Sequence, residues 1–223
     1  CTWLSTLAEH LAPVNCVRFS PDCQRIASCD ADAVLLIWAP GSAPHAAFGQ
    51  GKPGPEPWHR LFLLRGHGGE ICDLSWHPGL HPTFSLASCS HDGSIRLWSG
   101  RGENTARLLP PFPGLVKGVA FDPLGQFLAA MVDPTGATNR PRAVLWETPT
   151  EDGDPALSWR TTELSHDPWS SASSLVSAVY YRRPSWDPLG QSVCFPYGEK
   201  MRFEVSTPRY FGALFQREKW NSA

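Results

Sequence analysis

Two sets of polar residues have the types and spacing for chemistry. His10, Ser28 and Asp32 recur as His67, Ser88 and Asp92; in both sets the aspartate follows the serine by four residues, and Trp38 or Trp98 follows it by six. Ser, His and Asp are the members of a nucleophilic triad. The recurring tryptophan points elsewhere. A buried indole N–H needs an acceptor and a buried imidazole needs partners, and a Trp, Ser, His, Asp relay inside one sheet satisfies all of them. Such a relay leaves no free nucleophile and no oxyanion site. His77, His81 and His91 invite a metal, since His-x3-His suits zinc on a helix, but Pro78 and Pro82 forbid the helix and place the pair in a turn. Asp30 and Asp32 imitate paired carboxylates but fall in a strand-joining turn, where solvated residues are expected. Phosphate loop, nucleophile elbow and metalloprotease helix are all missing from the sequence. A non-catalytic protein without cofactor or metal is expected.

The elements that would hold these relays are legible as an internal repeat. Phe19-Ser20-Pro21, Trp76-His77-Pro78, Phe121-Asp122-Pro123 and Trp186-Asp187-Pro188 are variants of one phrase, 57, 45 and 65 residues apart. The last two extend to Asp-Pro-Leu-Gly-Gln at 122–126 and 187–191. A core unit of ~40 to 45 residues with loop insertions is the period of a four-stranded propeller blade. Before each phrase stands a short alternating run, such as Val14, Val17, Phe19 or Ile71, Leu74, Trp76. After it come a proline turn, a second run (Ile26 to Ser28, Leu86 to Ser88), a turn carrying Asp32 or Asp92, a third run ending on Trp38, Trp98 or Trp146, and a fourth at Trp58 to Leu64 or Leu157 to Leu164.

The fold expected is an all-β WD40 propeller. The chain would show about three complete and two partial blades of a seven-bladed ring, with blades at about 8–64, 65–109, 114–164 and 175–223. It would open on an outermost strand at Trp3 to Leu7 and close on a third strand at Tyr210 to Phe215. Inserted loops are expected at 40–57, 133–143, 147–156 and 165–174. The third unit lacks a histidine near Gly114 and has Ala130 in place of the serine, so packing alone should hold it. The fourth has Pro184 where the others have Val17, Leu74 or Val119, a position tolerated on an edge strand lining the channel.

Composition agrees with short strands and many turns: among 223 residues stand 22 Pro, 19 Gly and 10 Trp. A formal charge of −2 offers no broad basic face for nucleic acid. Seven cysteines, with no C-x-x-C pair, read as buried thiols of a reducing compartment. No apolar stretch approaches the ~18 residues of a spanning helix, and a soluble intracellular protein is expected. The chain begins on Cys1 rather than Met, as a fragment would. Partner contacts are expected on one propeller face, where the residue before each blade aspartate and those before the innermost strand stand free. These are Pro13, Ala31, Glu70, His91 and Lys117. Arg182 and Arg183, with Lys117 at the corresponding place of the preceding unit, could greet an acidic segment of a partner.

The wording between the motifs resembles known families. His10 to Trp38, with Val14-Asn15-Cys16-Val17-Arg18-Phe19-Ser20-Pro21 and Asp32-Ala33-Val34-Leu35-Leu36-Ile37-Trp38, resembles the second blade of the middle WD40 subunit of chromatin assembly factor 1. The Hir-type histone chaperones, its sister family, have a similar blade, and both continue into a run like Trp58 to His67. Val116-Lys117-Gly118-Val119 with Asp122 to Gln126, and Tyr180-Tyr181-Arg182-Arg183 before Ser185-Trp186, look more like the assembly-factor subunit. Pro184 and the long turn at 133–143 depart from the family pattern. The resemblance implies a nuclear scaffold that joins the large and small subunits of chromatin assembly factor 1 and, with them, deposits histones on replicating DNA. It also implies a tail, absent here, that recruits a second histone chaperone. A Hir-type chaperone of replication-independent nucleosome assembly, or a generic WD40 adaptor, are the alternatives.

Overall fold

Alternating apolar runs broken by proline turns can hydrogen-bond only to their neighbours in the chain, and each unit closes into a small antiparallel meander. The computed structural model describes residues 5–41, 58–79, 85–99, 106–134, 141–149, 160–164, 181–202 and 205–217. The first sheet runs β1 (Val14–Phe19), β2 (Ile26–Asp30), β3 (Leu35–Pro40), β4 (Trp58–Leu64), each strand pairing with the next. The second runs β5 (Ile71–Trp76), β6 (Leu86–Ser90), β7 (Ile95–Trp98), β8 (Ala106–Leu108), and the third β9 (Gly114–Phe121), β10 (Phe127–Pro134), β11 (Arg142–Glu147), β12 (Thr161–Leu164). In the fourth, β13 (Ser185–Trp186), β14 (Ser192–Arg202) and β15 (Val205–Gln216) form three strands.

The sheets stack face to face because the middle strands are apolar on both sides. All five residues of β2 and of β6 are buried, and the side-chain period of two sends alternate residues to opposite neighbours. In the third sheet Leu128, Ala130 and Val132 join Ala87, Cys89, Ile95 and Leu97 of the second, whereas Ala129 and Met131 join Val193, Phe195 and Ala213 of the fourth. Between the first and second sheets Cys16, Ala27, Cys29, Leu35 and Ile37 meet Ile71, Leu74, Leu86 and Trp98. No sheet hides its apolar faces alone, which is the physical basis of a propeller.

Several sequence expectations change. The third unit's long turn does not span 133–143: β10 continues to Pro134, paired with Gly114, and β11 starts at Arg142, paired with Val132. Ladder pairing with β9 outweighs the Asp-Pro turn signal there, and residues 135–140 lie outside the described residues. Of the opening strand, Trp3 lies outside the described residues, and 5–7 are not in a strand; Leu7 instead packs on the cluster of Ile26, Val34, Leu36 and Trp38. Leu157 and most of the loops at 40–57, 147–156 and 165–174 also lie outside the described residues. The cysteines divide: Cys16, Cys29, Cys72 and Cys89 are buried thiols, but Cys23 and Cys194 are exposed. Burial pushes the Cys72 thiol up to about 12, so it stays protonated and inert.

Candidate functional site

The polar groups that could do chemistry are locked to one another. In the second sheet the Trp98 indole donates to the Ser88 hydroxyl at 2.8 Å, Ser88 Oγ lies 2.7 Å from His67 Nε2, and His67 Nδ1 lies 3.0 Å from Asp92 Oδ2. An indole only donates and a carboxylate only accepts. The protons are thereby ordered: Ser88 accepts from Trp98 and donates to Nε2, and the Nδ1–H of a neutral imidazole donates to Asp92. Ser88 is fully buried and its hydroxyl is consumed at both ends, so it cannot serve as a nucleophile. Gly68 N–H and the Ser94 hydroxyl also donate to Asp92, at 2.8 and 2.6 Å. Burial pushes the Asp92 carboxyl up, but the bonds from His67, Ser94 and Gly68 prevail and hold it well below the usual carboxylate range.

The first sheet builds the same relay with a different aspartate. Trp38 donates to Ser28 at 2.8 Å and Ser28 Oγ lies 2.6 Å from His10 Nε2, but His10 Nδ1 meets Asp30 Oδ2 at 2.7 Å. Asp32, expected in that role, is exposed and contributes only its backbone N–H, donated to Asp30 Oδ1. Asp30 lies two residues beyond Ser28 on β2 and therefore on the same face of the sheet. In the second sheet that place belongs to Ser90, whose hydroxyl accepts from Asp92 N–H, and Ser94 adds a second hydroxyl beside His67. Asp30 performs these tasks alone: one oxygen faces His10 and the other accepts from the Asp32 and Val34 amides. Asp30→Ala should therefore cost about 1–3 kcal/mol of unfolding free energy through orphaned buried donors, and Asp32→Ala no more than ~0.5. Parallel urea titrations of the two variants check this; equal losses would restore Asp32 to the relay.

The third sheet keeps the relay's tryptophan, Trp146, and replaces its polar members. Phe112 stands four residues before Val116, as His67 stands four before Ile71, and its ring meets Trp146 edge-on at 5.3 Å. Ala130 and Val132 take the places of Ser88 and Ser90. Apolar contact thus substitutes for the hydrogen-bonded chain, though packing is not the only bond within this sheet. Lys117 Nζ on β9 lies 2.7 Å from Asp133 Oδ2 on β10, both nearly buried. Phe112 gave no polar signal in the sequence, and only its distance from the inner strand could have marked it.

Expected partner-binding residues separate into two groups. Lys117 and Arg182, proposed for an acidic partner, are buried; they meet Asp133 of the chain itself, Arg182 through Nε at 3.0 Å. The cause is steric and electrostatic: a Cβ on Gly118 would lie 2.1 Å from the Arg182 carbonyl oxygen, so the backbone at 182–183 passes directly over β9 and carries Arg182 inward. Arg183 reaches Asp73 Oδ1 at 3.1 Å and donates to the Asn15 and Cys72 carbonyls at 2.7 and 3.2 Å. Asp73, itself buried, also pairs with Arg18 at 3.1 Å and accepts from the Val119 amide at 3.2 Å, tying three sheets together. Pro13 and Ala31, and likewise Glu70 and His91, sit at equivalent positions joined by Ala31 N–H to Pro13 and His91 N–H to Glu70 carbonyls. Pro13 is exposed and the other three are partly so.

His77 is held between the Gly79 and Gly125 carbonyls, at 3.0 and 3.2 Å, and stacks edge-on against Phe121. It acts as a bracket between the second and third sheets, and His81 lies outside the described residues. Among the described residues no three His, Cys, Asp or Glu side chains group as metal ligands do.

Burial lowers the affinity of His67 and His91 for protons below the usual value of 6.5, against the pull of Asp92 and Glu70 respectively. The unfolded chain then takes protons that the folded one refuses, so stability is full above pH 6.5 and declines as pH falls below it. Thermal melts should show a lower Tm at pH 5 than at pH 7.5, with a shallower slope in His67→Gln.

A model of the WD domain, G-beta repeat, matches residues 1–39 and 58–99, the first two units. Protein HIR1 of Mycosarcoma maydis is 29% identical over 221 residues, covering 98% of this chain and 19% of that protein. Protein hir1 of Schizosaccharomyces pombe is 29% identical over 227 residues, covering 98% of this chain and 21% of that protein. Protein HIRA homolog of Drosophila melanogaster is 37% identical over 100 residues, 44% of this chain and 9% of that protein. The chain spans about a fifth of the length of the HIR1 relatives that it matches from end to end. Among solved structures, the β-propeller domain of Myceliophteria thermophila Cps50 (Swd1) superposes with a TM-score of 0.58 at 17% identity, covering 95% of this chain and 54% of that one.

Proposed function

From a chain whose fold is a WD40 β-propeller, we propose a scaffold function: this is the WD40 region of a Hir-type histone chaperone, and it holds protein partners for nucleosome assembly in the nucleus. One observation carries the reading: relatives named HIR1 align with 98% of this chain, through its irregular third and fourth units as well as its regular first two. A scaffold rather than an enzyme fits the relays, whose serines and histidines are spent on internal bonds. Pro13, Ala31, Glu70 and His91 lie on the propeller face offered to partners, with histones bound directly or through the assembled complex.

The middle subunit of chromatin assembly factor 1 is the second reading, favoured by Tyr180-Tyr181-Arg182-Arg183. In that case the partners are its large and small subunits, the setting is DNA replication, and a tail outside this sequence recruits a further histone chaperone. Affinity purification of the full-length tagged protein from nuclear extract, followed by mass spectrometry, separates the readings. Core histones with Hir-complex subunits, in and out of S phase, are expected. Recovery of the large and small assembly-factor subunits instead selects the second reading, and a cytoplasmic protein without histones overturns both.

A further inference from the structure

The proline turns that close the first strand pair of each sheet all lie on one face, and there the inner strands of the first three sheets surround a cavity of about 300 Å³. Its walls include Phe19, Trp76 and Phe121, and its polar lining includes Arg18, Asp73, Ser75 and Arg183. Both guanidiniums lean on the same carboxylate oxygen, each at 3.1 Å, while the Arg18 and Arg183 side chains remain 41% and 34% accessible. Two cations against one buried carboxylate leave the cavity one positive charge in excess. Asp122, which also lines it, is fully buried and neutralised by Arg217 at 2.6 Å. A volume of this order takes one or two apolar side chains, and the charge excess asks for an anion beside them.

The apolar track continues outward along the row of turns. A Cβ on Gly125 would lie 2.8 Å from the His77 ring and 3.4 Å from Pro78, and one on Gly190 would lie 3.4 Å from Pro123. Each turn thus rests on the turn before it, with these glycines at φ 71° and 68° where a side chain would be strained as well as crowded. The packed row holds Leu124 and Leu189 outward, 58% and 67% exposed. Asp122 fixes the shape of its turn by accepting from the Leu124 and Phe127 amides, so the leucine at its tip has no freedom to fold back.

We propose that this face docks an acidic, leucine- or phenylalanine-bearing peptide segment of a partner protein: an apolar side chain enters the cavity, a carboxylate meets Arg18, and a further apolar residue lies on Leu124 and Leu189. A peptide fits better than a small anion because the cavity is continuous with an apolar track that a small anion would leave bare. The inference rests on the scaffold reading but not on which chaperone complex is involved. It adds a site to the opposite end of the inner strands from the face at Glu70 and His91.

Fluorescence anisotropy on the whole chain tests it, with a labelled twelve-residue peptide of Asp and Glu bearing two leucines and one phenylalanine. Saturable binding is expected, weakened at least ten-fold when the acidic residues are replaced by Lys or the apolar ones by Ser. Leu124→Asp with Leu189→Asp should weaken it at least five-fold; Asp22 at the equivalent tip of the first sheet shows that the turn accepts aspartate. Arg18→Gln should weaken it and flatten its salt dependence, with circular dichroism confirming the fold of both variants. Equal binding of the Lys peptide, indifference to the leucine pair, or displacement by millimolar inorganic phosphate alone would overturn the proposal. Loss of peptide binding with histone recovery intact leaves the scaffold reading standing, whereas loss of histones with peptide binding intact removes only the Hir-type assignment.

Discussion

Asp133→Ala should unfold the protein at markedly lower urea, with a loss of roughly 3–5 kcal/mol. The carboxylate lies between Lys117 Nζ at 2.7 Å and Arg182 Nε at 3.0 Å, and those cations keep only 4% and 1% of their side-chain exposure. Removing it leaves two neighbouring positive charges facing each other in a medium where water cannot screen them. The size of the loss reflects that exposure of one partner's charge to a dry site, not the worth of the pair as built. A triple variant, Asp133→Leu with Lys117→Met and Arg182→Met, should recover a substantial part of it, because apolar groups of similar volume commonly replace a buried ionic triad without penalty. Equilibrium urea denaturation followed by tryptophan fluorescence measures both, and a single variant within ~1 kcal/mol of the parent would show that the ions are not dry.

Trp146→Ala is expected to cost about as much, 3–5 kcal/mol, by a different route. Trp146 is completely buried, and its partners in the third sheet are Phe112, Ala130 and Val132 rather than the polar groups that brace Trp38 and Trp98. With no hydrogen-bonded relay to hold the sheet's shape, the indole's volume carries the load. Trp146→Phe should lose less than half as much, because contact area rather than the N–H is at stake. In the second sheet the order reverses: Trp98→Phe also removes the donor to Ser88, and should cost more than Trp146→Phe. Comparing the two Phe variants under the same conditions isolates the relay; equal losses would mean that Ser88 and His67 add nothing beyond packing.

Strand order was legible because it needs only local signals: runs that alternate, turns that must turn, and tryptophans at fixed distances. Spacing picked out Trp98, Ser88, His67 and Asp92, whose polar atoms lie within 3.0 Å of one another in that order. It failed by two residues in the first sheet. Counting along the chain made Asp32 the analogue of Asp92, but reach is decided by which face a side chain leaves and by what stands beside it, and Asp30 already occupied the space next to His10. Phe112 has no polar signature in the sequence, since an apolar ring fills the space that a histidine takes in the first two sheets. Lys117 and Arg182 looked like surface cations since their counter-charge, Asp133, lies in a stretch that reads as a loop. The backbone's passage over Gly118 brings them together, and no local pattern announces a contact between residues 49 or more apart.

Stacked repeats ordinarily behave as a row of dominoes, each sensing only those on either side. The segment at 181–183 breaks that rule: Tyr181 donates to Asn15 in the first sheet at 2.7 Å, Arg183 grips Asp73 in the second, and the Arg182 amide donates to Lys117 in the third. A tether running from the last unit to the first makes distant units share one fate. Melting should therefore come as one steep step seen alike by every probe, and severing the tether with Tyr181→Phe and Arg183→Ala should spread it into stages.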